Sequence, residues 1–271
     1  MAGHAWADQV IAVLIVLIGA PMGSFAALLA ERLPCGRPVV RARSICAECN
    51  AALRWWELIP IFSFIFLRGL CTRCGAAIPA RLLEAELAGL ALGGLAVWAG
   101  LGLAGALVLW CLLALILCDL WRFRLPDVLT AALLVLALTV AALSPGTNGS
   151  LAARTGLALA GAGIGFGAFL AISLAYRMLR GRAGMGAGDI RLMAGIGALI
   201  VPSAGWAGLA MVTLIAGLAG IGLGLVQSLR RQRSLRGAMR LPFGACLGMA
   251  TIAVWVWVQA GATWPPGLLA P

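Results

Sequence analysis

Long unbroken apolar runs constrain this chain before anything else does. An α-helix needs about 20 predominantly apolar residues to cross roughly 30 Å of hydrocarbon. Runs of that character occupy residues 10–30, 83–99, 101–118, 127–143, 155–178, 190–201, 205–229 and 243–260, the sixth being short. Only 11% of the residues are charged and 63% are hydrophobic, against roughly 25% charged in an average soluble domain. A soluble fold could not cover its surface with so few polar groups. The expectation is an all-α polytopic membrane protein of about eight transmembrane helices. The residues ahead of the first run include His4 and Asp8 but no Lys or Arg. The basic segment of a signal peptide is therefore missing, and the run reads as a permanent span.

The expected organisation is a first transmembrane helix over residues 1–30, a hydrophilic domain over 31–82, and a seven-helix membrane domain over 83–271. All 20 basic residues are arginines. They cluster from Arg32 to Arg81, at Arg122 and Arg124, at Arg177, Arg180, Arg182 and Arg191, and from Arg230 to Arg240. The alternate connections, near Gly100, at "SPGTNGS" and at "VPSAG", carry almost no charge, with Arg154 the exception. Positive loops stay in the cytoplasm, which puts both termini outside and the arginine-rich loops inside. The net charge of +11 then reports topology and contact with anionic lipid. Nucleic acid is not an expected partner, because the arginines are spread over four loops with no RNA- or DNA-binding pattern.

Within the hydrophilic domain, "CAEC" (Cys46, Cys49) and "CTRC" (Cys71, Cys74) form two Cys-x-x-Cys pairs separated by 21 residues. Two such knuckles supply four thiolates, the donor set of a closed structural zinc site with no open position for chemistry. The competing reading is two disulfides or free packed thiols, and a reducing cytoplasm disfavours the disulfides. Cys35 stands outside the paired spacing, and Cys111, Cys118 and Cys246 fall in or beside apolar runs as packing residues.

After Glu86 only three carboxylates remain, Asp119, Asp127 and Asp189, all at predicted cytoplasmic ends of spans. Ionisable groups at membrane depth are functional candidates by default. Asp127 follows Pro126 at a helix start, where an acid favours the dipole, so it reads as a cap. Asp189 reads equally as a cap. Asp119 ends its span, where the dipole disfavours an anion; Arg122 is a possible structural partner. Two carboxyls brought together could share one proton and act as an aspartyl protease pair. The same two residues could instead form the relay of a proton-coupled transporter.

"GMGAGD", ending at Asp189, resembles the Gly-x-Gly-Asp signature of intramembrane aspartyl proteases. Four more stretches narrow the resemblance to the type IV prepilin peptidases of bacterial inner membranes. They are "GSF…RLP" (Gly23 to Pro34), the cysteine pairs bracketing "RWWELIPIFSFIFLRG", "DLWRFRLPD" (Asp119 to Asp127) and "LPFG" (Leu241 to Gly244). The resemblance implies that Asp119 and Asp189 are catalytic and that Cys46, Cys49, Cys71 and Cys74 bind zinc. It implies cleavage of prepilin or pseudopilin leaders, for type IV pili or type II secretion, after a Gly at the cytoplasmic face. In many members N-methylation of the new N-terminus by S-adenosylmethionine follows. Glu86 matches a family glutamate. Ala27 stands where the family usually has Asn, Glu31 where it has an aromatic or His, and Arg191 where it often has Lys. The glycines at 184, 186 and 188 are expected to thin the backbone beside Asp189 and to permit positive φ.

Overall fold

A computed structural model describes residues 2–39, 44–143, 150–181, 184–231 and 241–261. Parts of two connections singled out above, "SPGTNGS" and the arginine cluster ending at Arg240, lie outside the described residues. Eight α-helices follow in order: α1 (Ala2–Arg32), α2 (Phe62–Phe66), α3 (Ala80–Trp98), α4 (Gly102–Arg122), α5 (Asp127–Leu143), α6 (Leu151–Arg180), α7 (Ala187–Arg231) and α8 (Phe243–Gln259). Short 3₁₀ turns lie at Leu33–Cys35 and Trp55–Leu58. Among the described residues there is no strand, only two isolated bridges, Ile45 with Ala52 and Leu70 with Ala77. The described residues are all-α. Helices α1, α4, α6 and α7 are long and apolar enough to cross a membrane, and α5 and α8 are shorter apolar helices.

Helix α4 is the centre of the bundle, buried almost throughout from Gly105 to Asp119. Around it α1 packs on α3 and α4, α5 on α4 and α7, α6 on α7, and α8 on α4 and α7. Glycines set the closest approaches. Gly19 and Gly23 of α1 lie against the backbone of Gly89 and Ala85 in α3, and Gly161 and Gly165 of α6 lie against Gly197 and Met193 in α7. Small residues let helix backbones touch where lipid gives no hydrophobic driving force. In "GAGIGFG", Gly161 and Gly165 serve this contact while Gly163 and Gly167 meet nothing. The carbonyl of Gly89 also accepts a hydrogen bond from the buried Trp110 indole, 3.0 Å away, which ties α3 to α4.

Two predicted runs, the sixth and seventh, form the two legs of α7, which are separated by a kink at Gly205 (φ 66, ψ −171). At 1.5 Å per residue its length would be about 67 Å, twice the hydrocarbon thickness. The chain instead doubles back. Asp189 ahead of the break approaches Gly244 at the start of α8, and Gly220 beyond the break approaches Phe243, the neighbouring residue. Only glycine takes that positive φ without strain, and Pro202 just before it also weakens the helix.

Candidate active site and metal centre

The carboxyl pair is assembled by three helices. Asp119 lies in the last turn of α4, which closes on Phe123 in the left-handed region (φ 52), its N–H donating to the Asp119 carbonyl at 2.9 Å. Asp189 is the third residue of α7, and its own N–H donates to the Gly186 carbonyl at 3.1 Å. The third wall is the start of α8. A methyl group placed on Gly244 would lie 3.0 Å from Asp189 Oδ1, 3.1 Å from Asp119 Oδ2 and 2.8 Å from Leu125 Cδ1. Both carboxylates therefore converge on one bare Cα, near enough to repel each other.

An anion near the C-terminal end of α4 looked unfavourable by its own helix dipole. Its compensation comes from a different helix. Asp119 Oδ2 accepts the Ala245 N–H at 2.8 Å. Pro242 in the capping position of α8 offers no side-chain cap, so Asp119 supplies the acceptor that the free N–H groups of this helix start require. Arg81 pairs with Glu31 and Arg191 with Asp127; Arg122 does not pair with Asp119. Asp119 is 6% exposed, while Asp189 is half-buried. One carboxylate is thus locked inside and the other stands at the edge.

The cap reading of Asp127 acquires a second role. Asp127 opens α5 and pairs with Arg191, two residues past Asp189, strapping the starts of α5 and α7 together. Leu125, which drew no attention in the sequence, wedges between Gly188 and Gly244. The only hint was its place in "RLPD", where the turn after α4 must come back over the site. The expectation of positive φ at the glycines before Asp189 is corrected, since Gly184, Gly186 and Gly188 are not among the positive-φ glycines. Close packing accounts for them instead. A Cβ would strike the Tyr176 ring at Gly184, lie 3.2 Å from Asp189 Oδ2 at Gly186, and lie 2.8 Å from Leu125 Cβ at Gly188.

The cysteine module sits at the same end of the bundle. Arg81 pairs with Glu31 at 2.8 Å and lies 4.9 Å from the Trp121 ring centre, and Arg124 donates to the Pro34 carbonyl. Those contacts tie the end of α1, the start of α3 and the end of α4 together. Ala27, at the family's Asn position, is 1% exposed, so an apolar residue fits there. Glu86 of α3 accepts the Ile61 N–H at 2.7 Å and anchors the module to the helix.

Each Cys pair forms the same turn. The Asn50 N–H donates to the Cys46 carbonyl and the Gly75 N–H to the Cys71 carbonyl, with Asn50 (φ 55) and Gly75 (φ 71) left-handed at matching positions. All four sulfurs lie within 4.8 Å of one another, Cys46 and Cys74 at 3.8 Å. Zinc–sulfur bonds of about 2.3 Å in a tetrahedron require about 3.8 Å between sulfurs. The N–H groups of Arg73 and Cys74 pull the Cys71 thiol down to about 7. At Cys74 the pull of the Ala76 N–H is outweighed by desolvation and the crowding sulfurs, which hold it up to about 12. Four thiolates cannot share this space without a cation. The donor set fits a metal ion, and Cys35, Cys111, Cys118 and Cys246 stand outside it. Glu57 knits the module, accepting from the Arg54 N–H at 2.6 Å and from the Thr72 hydroxyl, and these bonds hold its carboxyl below the usual range.

Paired carboxyls at one end of an apolar helical bundle, with a tetra-cysteine module beside them, define a class: all-α proteins with membrane-span-capable helices, a buried carboxyl cluster and a metal-capable module. Comparison with known proteins gives the family. Residues 17–99 match the bacterial peptidase A24 N-terminal domain and residues 106–225 match the type IV leader peptidase family. The chain is 39% identical over 229 residues to a prepilin leader peptidase/N-methyltransferase of Burkholderia pseudomallei, covering 82% of this chain and 70% of the relative. Proteins of the same name from Pseudomonas aeruginosa (34% over 224 residues, 81% and 73% covered) and Aeromonas hydrophila (35% over 228 residues, 82% and 74% covered) also match. The chain belongs to the type IV leader peptidase family and is a peptidase. No solved structure gives a significant match. These matches lend no support to the transporter reading of the two aspartates.

Proposed function

We propose that this protein is an aspartyl endopeptidase that removes the leader of type IV prepilins or of type II secretion pseudopilins, with Asp119 and Asp189 as the catalytic pair. The convergence of both carboxylates on Gly244 carries the reading. Two such groups share one proton. The ionised member takes a proton from water as that water attacks the scissile carbonyl, while the protonated member hydrogen-bonds the carbonyl oxygen and then passes its proton to the leaving nitrogen. Asp119, buried and held by the Ala245 N–H, is fixed in place; Asp189, at the edge, meets the arriving peptide.

The four span-capable helices and two shorter apolar ones support a membrane reading. α1, α3, α4, α5, the two legs of α7, α6 and α8 make eight spans in the bacterial inner membrane, with both termini periplasmic and the site at the cytoplasmic face, as the positive-inside bias requires. A basic prepilin leader then remains among the arginine-rich loops while its apolar helix lies beside the bundle, in contact with lipid. The cysteine module holds structural zinc through Cys46, Cys49, Cys71 and Cys74. Its four thiolates leave the metal no open site, so it orders the module and takes no part in cleavage.

Methylation of the new N-terminus by S-adenosylmethionine is the second activity we carry over, because each of these relatives bears N-methyltransferase in its name. With no strand among the described residues, the donor would bind in a site unlike the strand–glycine–helix cradle of dinucleotide folds. Mass spectrometry of a co-expressed prepilin reads leader loss and added methyl together. Asp119→Asn and Asp189→Asn should each reduce cleavage by about 10³-fold or more, within the range for removing an acid–base group at such a centre, while bound zinc is retained. Cleavage that survives either substitution would refute the assignment.

A further inference from the structure

Between its two knuckles the cysteine module carries an aromatic lobe that none of the chemistry above uses. Trp55 is 73% exposed, Phe62 62%, Ile65 61% and Phe66 79%. Phe62 and Phe66 are one turn apart on α2 and stack on each other, with ring centres 6.5 Å apart. Soluble domains rarely leave contiguous apolar surface of this kind uncovered. Exposed arginines flank it in the chain: Arg54, whose guanidinium lies 5.0 Å from the Trp56 ring centre, and Arg68, two residues past Phe66.

Helix α3 sets the height of this lobe. The Ile61 N–H is fixed to Glu86 at 2.7 Å, and Phe62 is the next residue. Beyond Glu86 only residues 87–98 remain in α3, about 18 Å of helix at 1.5 Å per residue. That falls well short of the roughly 30 Å of hydrocarbon. If α3 crosses the bilayer, the membrane boundary must lie at Glu86 or closer to the start of the helix. A spanning α3 therefore holds Ile61 and the adjoining Phe62 level with the interface.

We propose that residues 55–66 form an interfacial anchor, with Trp55, Phe62, Ile65 and Phe66 inserted among the headgroups and upper acyl chains of an anionic leaflet and the flanking arginines paired with lipid phosphates. Tryptophan and other aromatic side chains favour this depth, and arginine near an anionic surface adds attraction. The anchor fixes how the module is presented beside the carboxyl pair. It rests on the spanning of α3 and not on the peptidase assignment.

The test uses the full chain in nanodiscs of phosphatidylethanolamine and phosphatidylglycerol, with Phe66→p-benzoylphenylalanine and, separately, Ile65→p-benzoylphenylalanine. Both side chains are mostly exposed; at position 66 the probe keeps an aromatic ring beside Phe62, and two positions guard against one variant failing to insert. On irradiation, intact-mass analysis should show phospholipid adducts at both positions, enriched in phosphatidylglycerol over its share of the nanodisc. Absence of any adduct would mean that the lobe faces water and would overturn the proposal. So would crosslinking to a second copy of the chain, or to added prepilin in place of lipid. The photoreaction needs no cleavage, so its outcome is independent of whether Asp119 and Asp189 are catalytic.

Discussion

The two candidate sites are built in opposite ways. The cysteine site is local: each knuckle is a turn of a few residues, closed by its own backbone hydrogen bonds, and only the meeting of the two knuckles requires the chain to fold back. The carboxyl site is almost wholly non-local. Asp119 is held by an N–H from a residue 126 positions away, and Asp189 arrives on another helix. Neither faces its partner except through the start of α8. A local site tolerates distant change and fails when its own ligands are lost. A site assembled from helix ends fails when any of those ends shifts.

That contrast predicts its most damaging test outside the carboxyls themselves, at a residue with no functional group. Gly244→Val would place methyl groups against Asp119 Oδ2, Asp189 Oδ1 and Leu125 Cδ1, contacts already at 2.8 to 3.1 Å for a single Cβ. Pushing reacting groups apart by about 1 Å costs on the order of 10²-fold in rate. Prepilin cleavage should fall by about that factor while the cysteine module keeps its metal. Equal activity in Gly244→Val and the parent would show that the carboxylates do not work across this glycine.

The complementary change strikes the local site. Cys71→Ser removes one of four sulfurs, and structural metal sites hold their domains folded. Bound zinc should be lost, and tryptic cleavage at the exposed Arg54 and Arg68 should speed up while the helices of the bundle remain protected. The loss of prepilin cleavage should be smaller than for Gly244→Val, because the module's contacts toward the bundle run through Glu86, Arg81 and Glu31 and not through the carboxylates themselves. A loss as large as that of Gly244→Val would mean that the two sites are one mechanical unit.

The same division decides what could be read from the sequence. The knuckles could be read because Cys-x-x-Cys spacing encodes a turn within four residues. Residues 127–143 could be read as a helix because Pro126 and Asp127 mark its start, and the helix found is Asp127–Leu143. The break at Gly205 was legible as a division between two apolar runs, while the way the second leg doubles back toward the start of α8 was not. For Asp119 the sequence supplied the problem, an anion at the wrong end of a helix, but not the solution. Its partner is a backbone N–H, and backbone groups leave no signature in side-chain spelling. Leu125 was silent for a similar reason, since a leucine in an apolar chain gives no sign that it fills the space between two distant glycines. The glycines before Asp189 were read correctly as a place needing thin backbone, but for the wrong cause. They make room for Tyr176, Leu125 and the Asp189 carboxylate.

The smallest expected effect falls on the strap between Asp127 and Arg191. It joins the starts of α5 and α7 close to Asp189, so it belongs to the non-local site, yet its two side chains are 42% and 72% exposed. Exposed ion pairs contribute at most about 1 kcal/mol, so Arg191→Gln should lower cleavage by no more than about fivefold. The deficit should shrink at high ionic strength, where the parent pair is itself screened. Arg191→Lys should retain activity, because a lysine keeps the charge at the same reach. Asp127→Arg combined with Arg191→Asp should recover more activity than either single change, which a residue that bound the substrate directly would not do. If Arg191→Gln instead abolished cleavage as completely as Asp189→Asn, the arginine would have to contact the scissile peptide. The carboxyl site would then extend past the three helix ends that meet at Gly244.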